Sequence, residues 1–289
     1  MAAPETARRH FREDVYLSPI GFGGMVLVGM EQDDCNRVVA DAHGLGINYF
    51  DVSPFYGNGE AELKLGPALE PFRSRVFLAC KTLQRNAGGA REELERSLQR
   101  LKTDHFDLYQ FHSVGKLEEV ETIFAPGGAA ETFLQARSEG KIRFVGFSSH
   151  SVTASLAMMD RFKFDSILFP VNFVCYARGG FGPQVIQKAK QLAIARLGLK
   201  AMAHGAWGKD ELRGYPKCWY RPIEDRALAR DALRFALSED VTSVIPPGDE
   251  RLFRMAMELI PELTPLSVQQ RESLLAGTTR MKPQAEVWS

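Results

Sequence analysis

From about residue 20 to about residue 260, short apolar runs rich in β-branched and aromatic residues alternate with longer segments in which apolar residues recur every three or four positions. Continuous apolar runs bounded by turn residues predict strands buried on both faces, and the periodic segments predict amphipathic helices. The strands are expected at 19–26, 47–52, 75–81, 106–112, 142–148, 166–169, 199–203 and 242–245. The helices are expected at 33–45, ended by Gly46, and at 60–69, 90–101, 132–138, ended by Gly140, 152–161, 184–196, 226–238 and 251–259.

Eight βα units with mostly apolar strands are what a closed parallel barrel requires, so the expected fold is α/β, a (β/α)8 TIM barrel forming a single domain. The barrel is expected over 18–262, after a solvated N-terminal tail at 1–17 and before a C-terminal helix and tail at 263–289, over or beside the barrel. An open doubly wound sheet is the rival, but it would announce its nucleotide site with three glycines after the first strand. Here Gly21 and Gly23 are followed by Val26 where the third should stand.

Composition narrows the class. Hydrophobic residues at 45% and charged residues at 25% match a globular chain and exclude a disordered or collagenous one. Lys and Arg (36) balance Asp and Glu (36), which removes the electrostatic footprint of a nucleic-acid or anionic-membrane binder. Cys35, Cys80, Cys175 and Cys218 are widely spaced with no CxxC pair, so reduced thiols and no zinc site are expected. The N-terminus is too charged for a secretory signal, and no apolar run approaches a membrane span, so the expected compartment is the cytoplasm.

In a parallel barrel the chemistry lies at the C-terminal ends of the strands. Asp51, Lys81 and His112 close three successive strand candidates, and Tyr56 follows five residues after Asp51 in a loop able to fold back over the same rim. Each alone reads as a cap, a solvated cation or a rim residue. Together they form a proton-transfer group: an ammonium beside a phenol favours the tyrosinate, and a carboxylate holds that ammonium charged, giving a tyrosine of lowered pKa. His112 is then placed to orient a carbonyl oxygen that gains charge.

Four segments, GINYFDVSPFYGNGEAE (46–62), CKT (80–82), DLYQFH (107–112) and GKIRFVGFSS (140–149), resemble the aldo-keto reductase superfamily in order and spacing. The resemblance covers about residues 18–260. It implies a catalytic tetrad of Asp51, Tyr56, Lys81 and His112, a nicotinamide cofactor extended across the barrel mouth, and hydride transfer between that cofactor and an aldehyde, ketone or sugar, with Tyr56 as general acid and base. The implied cofactor contacts are Gly23, Asp51, Ser148, Ser149, Asn172, Pro247, Gly248, Arg251 and Arg254. Ser148 keeps a family carboxamide contact, Ser149 shortens the next, and Leu168 replaces a glutamine, for which Asn172 is a possible substitute.

After the eighth strand, IPPGDERLFR has Pro247 where the family usually has a lysine for the adenosine 2′-phosphate. Asp249 and Glu250 add negative charge, leaving Arg251 and Arg254 as clamps. NADP stays ahead of NAD on family habit alone. Substrate contacts are expected from Phe55, Tyr56, His112 and Trp207, and the loop 205–222 is long enough to be functional. The expected partner is a small carbonyl or alcohol compound, and the chain is expected to be a monomer or weak homo-oligomer. Two other readings stand beside this one: a cofactor-binding barrel with little turnover, acting as a sensor or subunit, and a lyase using Lys81 as a Schiff base. The second needs a lysine of depressed pKa, which Asp51 opposes.

Overall fold

A computed structural model of the chain describes residues 8–208 and 211–281. An N-terminal hairpin joins β1 (Arg9–Arg12) to β2 (Val15–Leu17). Next come β3 (Phe22–Gly23), β4 (Tyr49–Asp51), β5 (Phe77–Thr82), β6 (Phe106–Phe111), β7 (Ile142–Ser148), β8 (Ser166–Pro170) and β9 (Ala195–Leu199), each parallel to its neighbour. β10 (Ala203–Gly205) and β11 (Arg221–Pro222) pair separately, and β12 (Ser243–Ile245) adds to β9. The eight-stranded sheet, β12-β9-β8-β7-β6-β5-β4-β3, closes where Ile20 bridges Val244, with Val244 N donating to Pro19 O at 2.9 Å. This is the TIM barrel that the alternation of elements predicts.

Side chains alternate across each strand, so every second residue faces the barrel axis. Tyr49, Phe77, Ala79, Leu108, Phe144, Leu168 and Leu197 fill the interior as one buried cluster. A second cluster lies between the strands and the outer helices and includes Phe50, Leu78, Tyr109, Phe147 and Phe169. The hairpin supplies Phe11 and Leu17 to the interior cluster; Phe11 packs edge-on to Phe77 (5.0 Å between centroids) and Phe144 (5.5 Å). Residues 9–17 are therefore a plug under the barrel and not the solvated tail the charge pattern suggests.

Most boundaries follow the sequence closely: Ile142–Ser148, Glu60–Leu69, Val152–Arg161 and Arg226–Ser238 form as expected. The exception is the seventh barrel strand, expected at 199–203 and formed at Ala195–Leu199. The helix before it, Pro183–Gln191, ends five residues early. In the run from Ala189 to Ala203 the apolar pattern fits either element; pairing of Leu197 with Leu168 on one side and Ser243 on the other decides it. The first strand contracts to Phe22–Gly23 because Gly24–Leu27 turns as a 3-10 helix. Beyond the barrel, Val268–Ala276 is a helix packed on Arg226–Ser238, where Arg234 donates to Gln270 at 3.1 Å. Residues 282–289, with Trp288, lie outside the described residues.

Candidate active site

The same alternation that fills the barrel builds its rim. On β5 the inward series runs Phe77, Ala79, Lys81; on β4 it runs Tyr49, Asp51; on β6 it runs Leu108, Gln110 and continues to His112; on β7 it ends at Ser148. Tyr56 reaches this rim by a different route. After it, Gly57 (φ 60°), Asn58 (φ 53°) and Gly59 (φ 95°) are consecutive left-handed residues, which only glycine and asparagine adopt at low cost. They turn the chain back, and Tyr56 N donates to Ser53 O at 3.0 Å.

Lys81, fully buried, donates to the Asp51 carboxylate, to Val52 O at 3.2 Å and to the Tyr56 hydroxyl at 3.5 Å. The second Asp51 oxygen accepts from Tyr49 and from Gln110, both at 3.1 Å. Sequence reading missed Gln110; its only signal is that it stands two residues before His112 on the same strand face. The His112 ring is edge-on to Tyr56 (centroids 5.9 Å apart), and its Nδ1 is 3.0 Å from the Ser53 hydroxyl, which also accepts from Phe55 N at 3.2 Å.

Burial and charge set the protonation states. For Lys81 burial alone disfavours the ammonium, but the Asp51 carboxylate and the Tyr56 phenol outweigh it and the pKa is raised. For Tyr56 burial is again the largest influence and raises the pKa. The Lys81 charge pulls it down without overcoming burial, so the phenol is held protonated, contrary to the lowered value expected from the trio. His112 is driven well below its ordinary pKa by burial first and then by Lys81, so the imidazole is neutral.

A cavity of about 770 Å³, part of it open to solvent, is lined by Asp51, Tyr56, Lys81 and His112. Gly23, Ser148 and Gly248 also line it. Seven other predicted contacts are placed elsewhere. Ser149 is fully buried and donates to Val114 O at 2.6 Å. Asn172 caps the helix Phe173–Gly179 through Val174 N and Cys175 N and spends its amide on backbone carbonyls, so it cannot replace the missing glutamine. Pro247 yields its place in the wall to Pro246. Arg251 pairs with Asp249 at 3.0 Å, and Arg254 pairs with Glu250 at 2.8 Å and Asp41 at 3.1 Å. Trp207 donates to Cys218 O at 2.9 Å and so anchors the long loop, which leaves Trp219 in the cavity wall. Phe55 is half exposed beside His112 (centroids 6.3 Å apart), outside the lining. The lining also contains Lys200, Lys217 and Tyr220, none of which has a motif to mark it.

Among the described residues no helix is long and apolar enough to cross a membrane. The model of the Aldo/keto reductase family matches residues 19–248. Over 270 residues the chain is 26% identical to the uncharacterized oxidoreductase YqkF of Bacillus subtilis (strain 168), covering 83% of this chain and 85% of that one. It is 35% identical over 143 residues to the methylglyoxal reductase YeaE of Escherichia coli (strain K12), spanning about half (48%) of either chain. The holo form of the aldo-keto reductase AKR11C1 from Bacillus halodurans has the same fold, with a TM-score of 0.72 at 24% identity over 94% of this chain and 95% of that one. With a family model spanning the barrel and an oxidoreductase relative matching over most of both lengths, the chain belongs to the aldo/keto reductase family, as an NAD(P)H-dependent oxidoreductase.

Proposed function

We propose that the protein reduces the carbonyl group of an aldehyde or ketone with Tyr56 as proton donor, and that it prefers NADH to NADPH. The observation that carries the first part is the buried relay Asp51, Lys81, Tyr56. Lys81 donates to the phenol oxygen, so the phenol's own hydrogen is left to point into the cavity toward a carbonyl oxygen. As that proton leaves, the Lys81 ammonium 3.5 Å away stabilises the tyrosinate, and Asp51 keeps the ammonium charged. The Ser53 hydroxyl, which accepts from Phe55 N, has its own proton to donate to Nδ1 of the neutral His112, the direction taken in this reading. The ring hydrogen then sits on Nε2 and orients the same carbonyl oxygen.

The cavity wall suits a nicotinamide dinucleotide. Met25, Leu168, Leu199 and Ile245 offer an apolar face for a flat ring, and at Gly248 a Cβ would stand 2.6 Å from Met25 Cγ, so the backbone there is necessarily bare. Bound there in reduced form, the cofactor supplies a hydride for the carbonyl carbon. Ser148, in the same wall, would hold the carboxamide as the resemblance implies, and Lys217 would supply a cation for a pyrophosphate.

Cofactor preference follows from residues 247–254. The Asp249 carboxylate caps the helix Glu250–Leu259 through Arg251 N, occupying the helix N-terminus that would otherwise attract a phosphate. Asp249, Glu250 and Asp41 neutralise both arginines offered as clamps. These pairs outweigh the family habit that put NADP first, because a 2′-phosphate would have to displace them. The test is titration of the protein with NADH and NADPH, read by tryptophan fluorescence, followed by the loss of reduced-cofactor absorbance with aldehydes, ketones and sugars. Tighter binding of NADPH would overturn the preference, and no oxidation with any carbonyl would overturn the reductase reading.

A further inference from the structure

We propose that Arg85, held in place by Glu119, is a positioning residue for His112: its guanidinium takes the His112 backbone carbonyl and so fixes where the imidazole stands in the cavity. This rests on the carbonyl-reduction reading above and adds a residue to that site.

Arg85 stands four residues after Lys81, in the loop that follows β5, and its own backbone carbonyl accepts from Ala129 N at 2.9 Å. The side chain is largely buried, at 13% exposure. Its Nη2 donates to His112 O at 2.6 Å and its Nη1 to Thr82 O at 3.4 Å, while Nε donates to one Glu119 oxygen at 3.0 Å. The other Glu119 oxygen accepts from Gly115 N at 2.8 Å and from Lys116 N at 3.0 Å, at the start of the helix Leu117–Phe124. The ion pair thus ties the loop after β5 to the loop after β6, with His112 between them. A planar guanidinium can serve two carbonyls and a carboxylate at once, which a lysine ammonium does not do in a fixed geometry.

The backbone at His112 shows what the clamp is for. β6 ends at Phe111, and His112 N still pairs with Thr82 O at 2.8 Å. The next residue, Ser113, has φ +54°, a left-handed conformation uncommon for a residue with a side chain, and it carries the chain out of the sheet. Arg85 then serves the His112 carbonyl in place of a neighbouring strand, as a buried carbonyl requires. The same peptide unit is bonded at its other end, because Ser113 N donates to Ser148 Oγ at 2.8 Å, and Ser148 is itself in the cavity wall. Strain of this kind persists only where surrounding structure fixes it, and here Arg85 and Ser148 do so. With its nitrogen and its carbonyl both held, His112 has a fixed Cα–Cβ direction, and the Ser53 hydroxyl 3.0 Å from Nδ1 sets the remaining rotation of the ring.

The experiment measures single-turnover reduction of butanal, with saturating NADH, by the native protein, Arg85→Met, Arg85→Lys, His112→Asn and the double variant Arg85→Met/His112→Asn. Arg85→Met is expected to slow the reaction about tenfold or more, the cost of a displaced catalytic group, with NADH affinity, read by tryptophan fluorescence, staying within about threefold of native. Arg85→Lys keeps the cation but not the fork and should recover part of the loss. In the His112→Asn background the Arg85→Met change should cost less than about threefold, because the residue it positions is gone. A rate for Arg85→Met close to native, an equal loss in both backgrounds, or a loss confined to NADH affinity would overturn the proposal. If Arg85→Met fails to fold, Arg85→Lys and Arg85→Lys/His112→Asn decide by the same comparison. Failure of the native protein to reduce butanal with either NADH or NADPH counts instead against the reductase reading.

Discussion

Lys81→Met tests the relay at its centre. At 3.5 Å from the phenol oxygen, the Lys81 charge interacts with a full tyrosinate by roughly 5 kcal/mol at an effective dielectric constant of about 20. If half of that charge has developed in the transition state, about 2.5 kcal/mol is lost, a fall in kcat of nearly two decades. The substitution also leaves the Asp51 carboxylate buried, with Tyr49 and Gln110 as its neutral donors. Removing one partner of a buried pair costs about 3–5 kcal/mol, and those two donors place this case near about 3 kcal/mol. Pairing the change with Asp51→Asn separates the two effects. In urea denaturation Lys81→Met/Asp51→Asn should be more stable than Lys81→Met by about 2 kcal/mol, because the orphaned charge is gone. Single-turnover oxidation of NADH should stay slow in both, because neither restores the cation beside Tyr56. Additive stability losses, or a kcat for Lys81→Met within threefold of native, would refute the electrostatic account.

Tyr56→Phe removes the transferable proton and leaves the ring; the chemical step should be abolished while NADH affinity, read by fluorescence, changes by less than about threefold. His112→Asn probes proton linkage. Folding holds His112 neutral well below its ordinary pKa, whereas the unfolded chain protonates it near pH 6.5, so its unfavourable contribution is absent above that value and grows as pH falls below it. Between pH 7 and pH 5 the native protein should lose about 2 kcal/mol more stability than His112→Asn, and equal losses would place the imidazole outside the buried site. Asp249→Asn keeps the helix cap but removes the carboxylate from Arg251; the ratio of NADPH to NADH affinity should rise about tenfold, and an unchanged ratio would show that Asp249 does not set it.

The sequence by itself determined the layout. Eight apolar runs separated by helical segments specify a parallel barrel, since strands buried on both faces cannot alternate polar and apolar residues freely. Asp51, Lys81 and His112 were legible because each is a polar residue closing such a run, where continued burial would be costly without a purpose. Tyr56 was legible from its place five residues beyond Asp51, in a loop able to fold back over the same rim. Only the tertiary structure decided which polar groups still have free valences. Asn172 and Ser149 look like cofactor ligands in the sequence, but their hydrogen bonds are consumed by backbone groups from other elements. Arg251 and Arg254 look like phosphate clamps, but Asp249, Glu250 and Asp41 already hold them. Lys200 carries no motif, and the hairpin at residues 9–17 is too polar to read as core until Phe11 and Leu17 are seen under the barrel. The physical reason is common to all of these: periodicity reports which face of an element is buried, whereas a hydrogen-bond partner or a net local charge depends on side chains brought from distant parts of the chain.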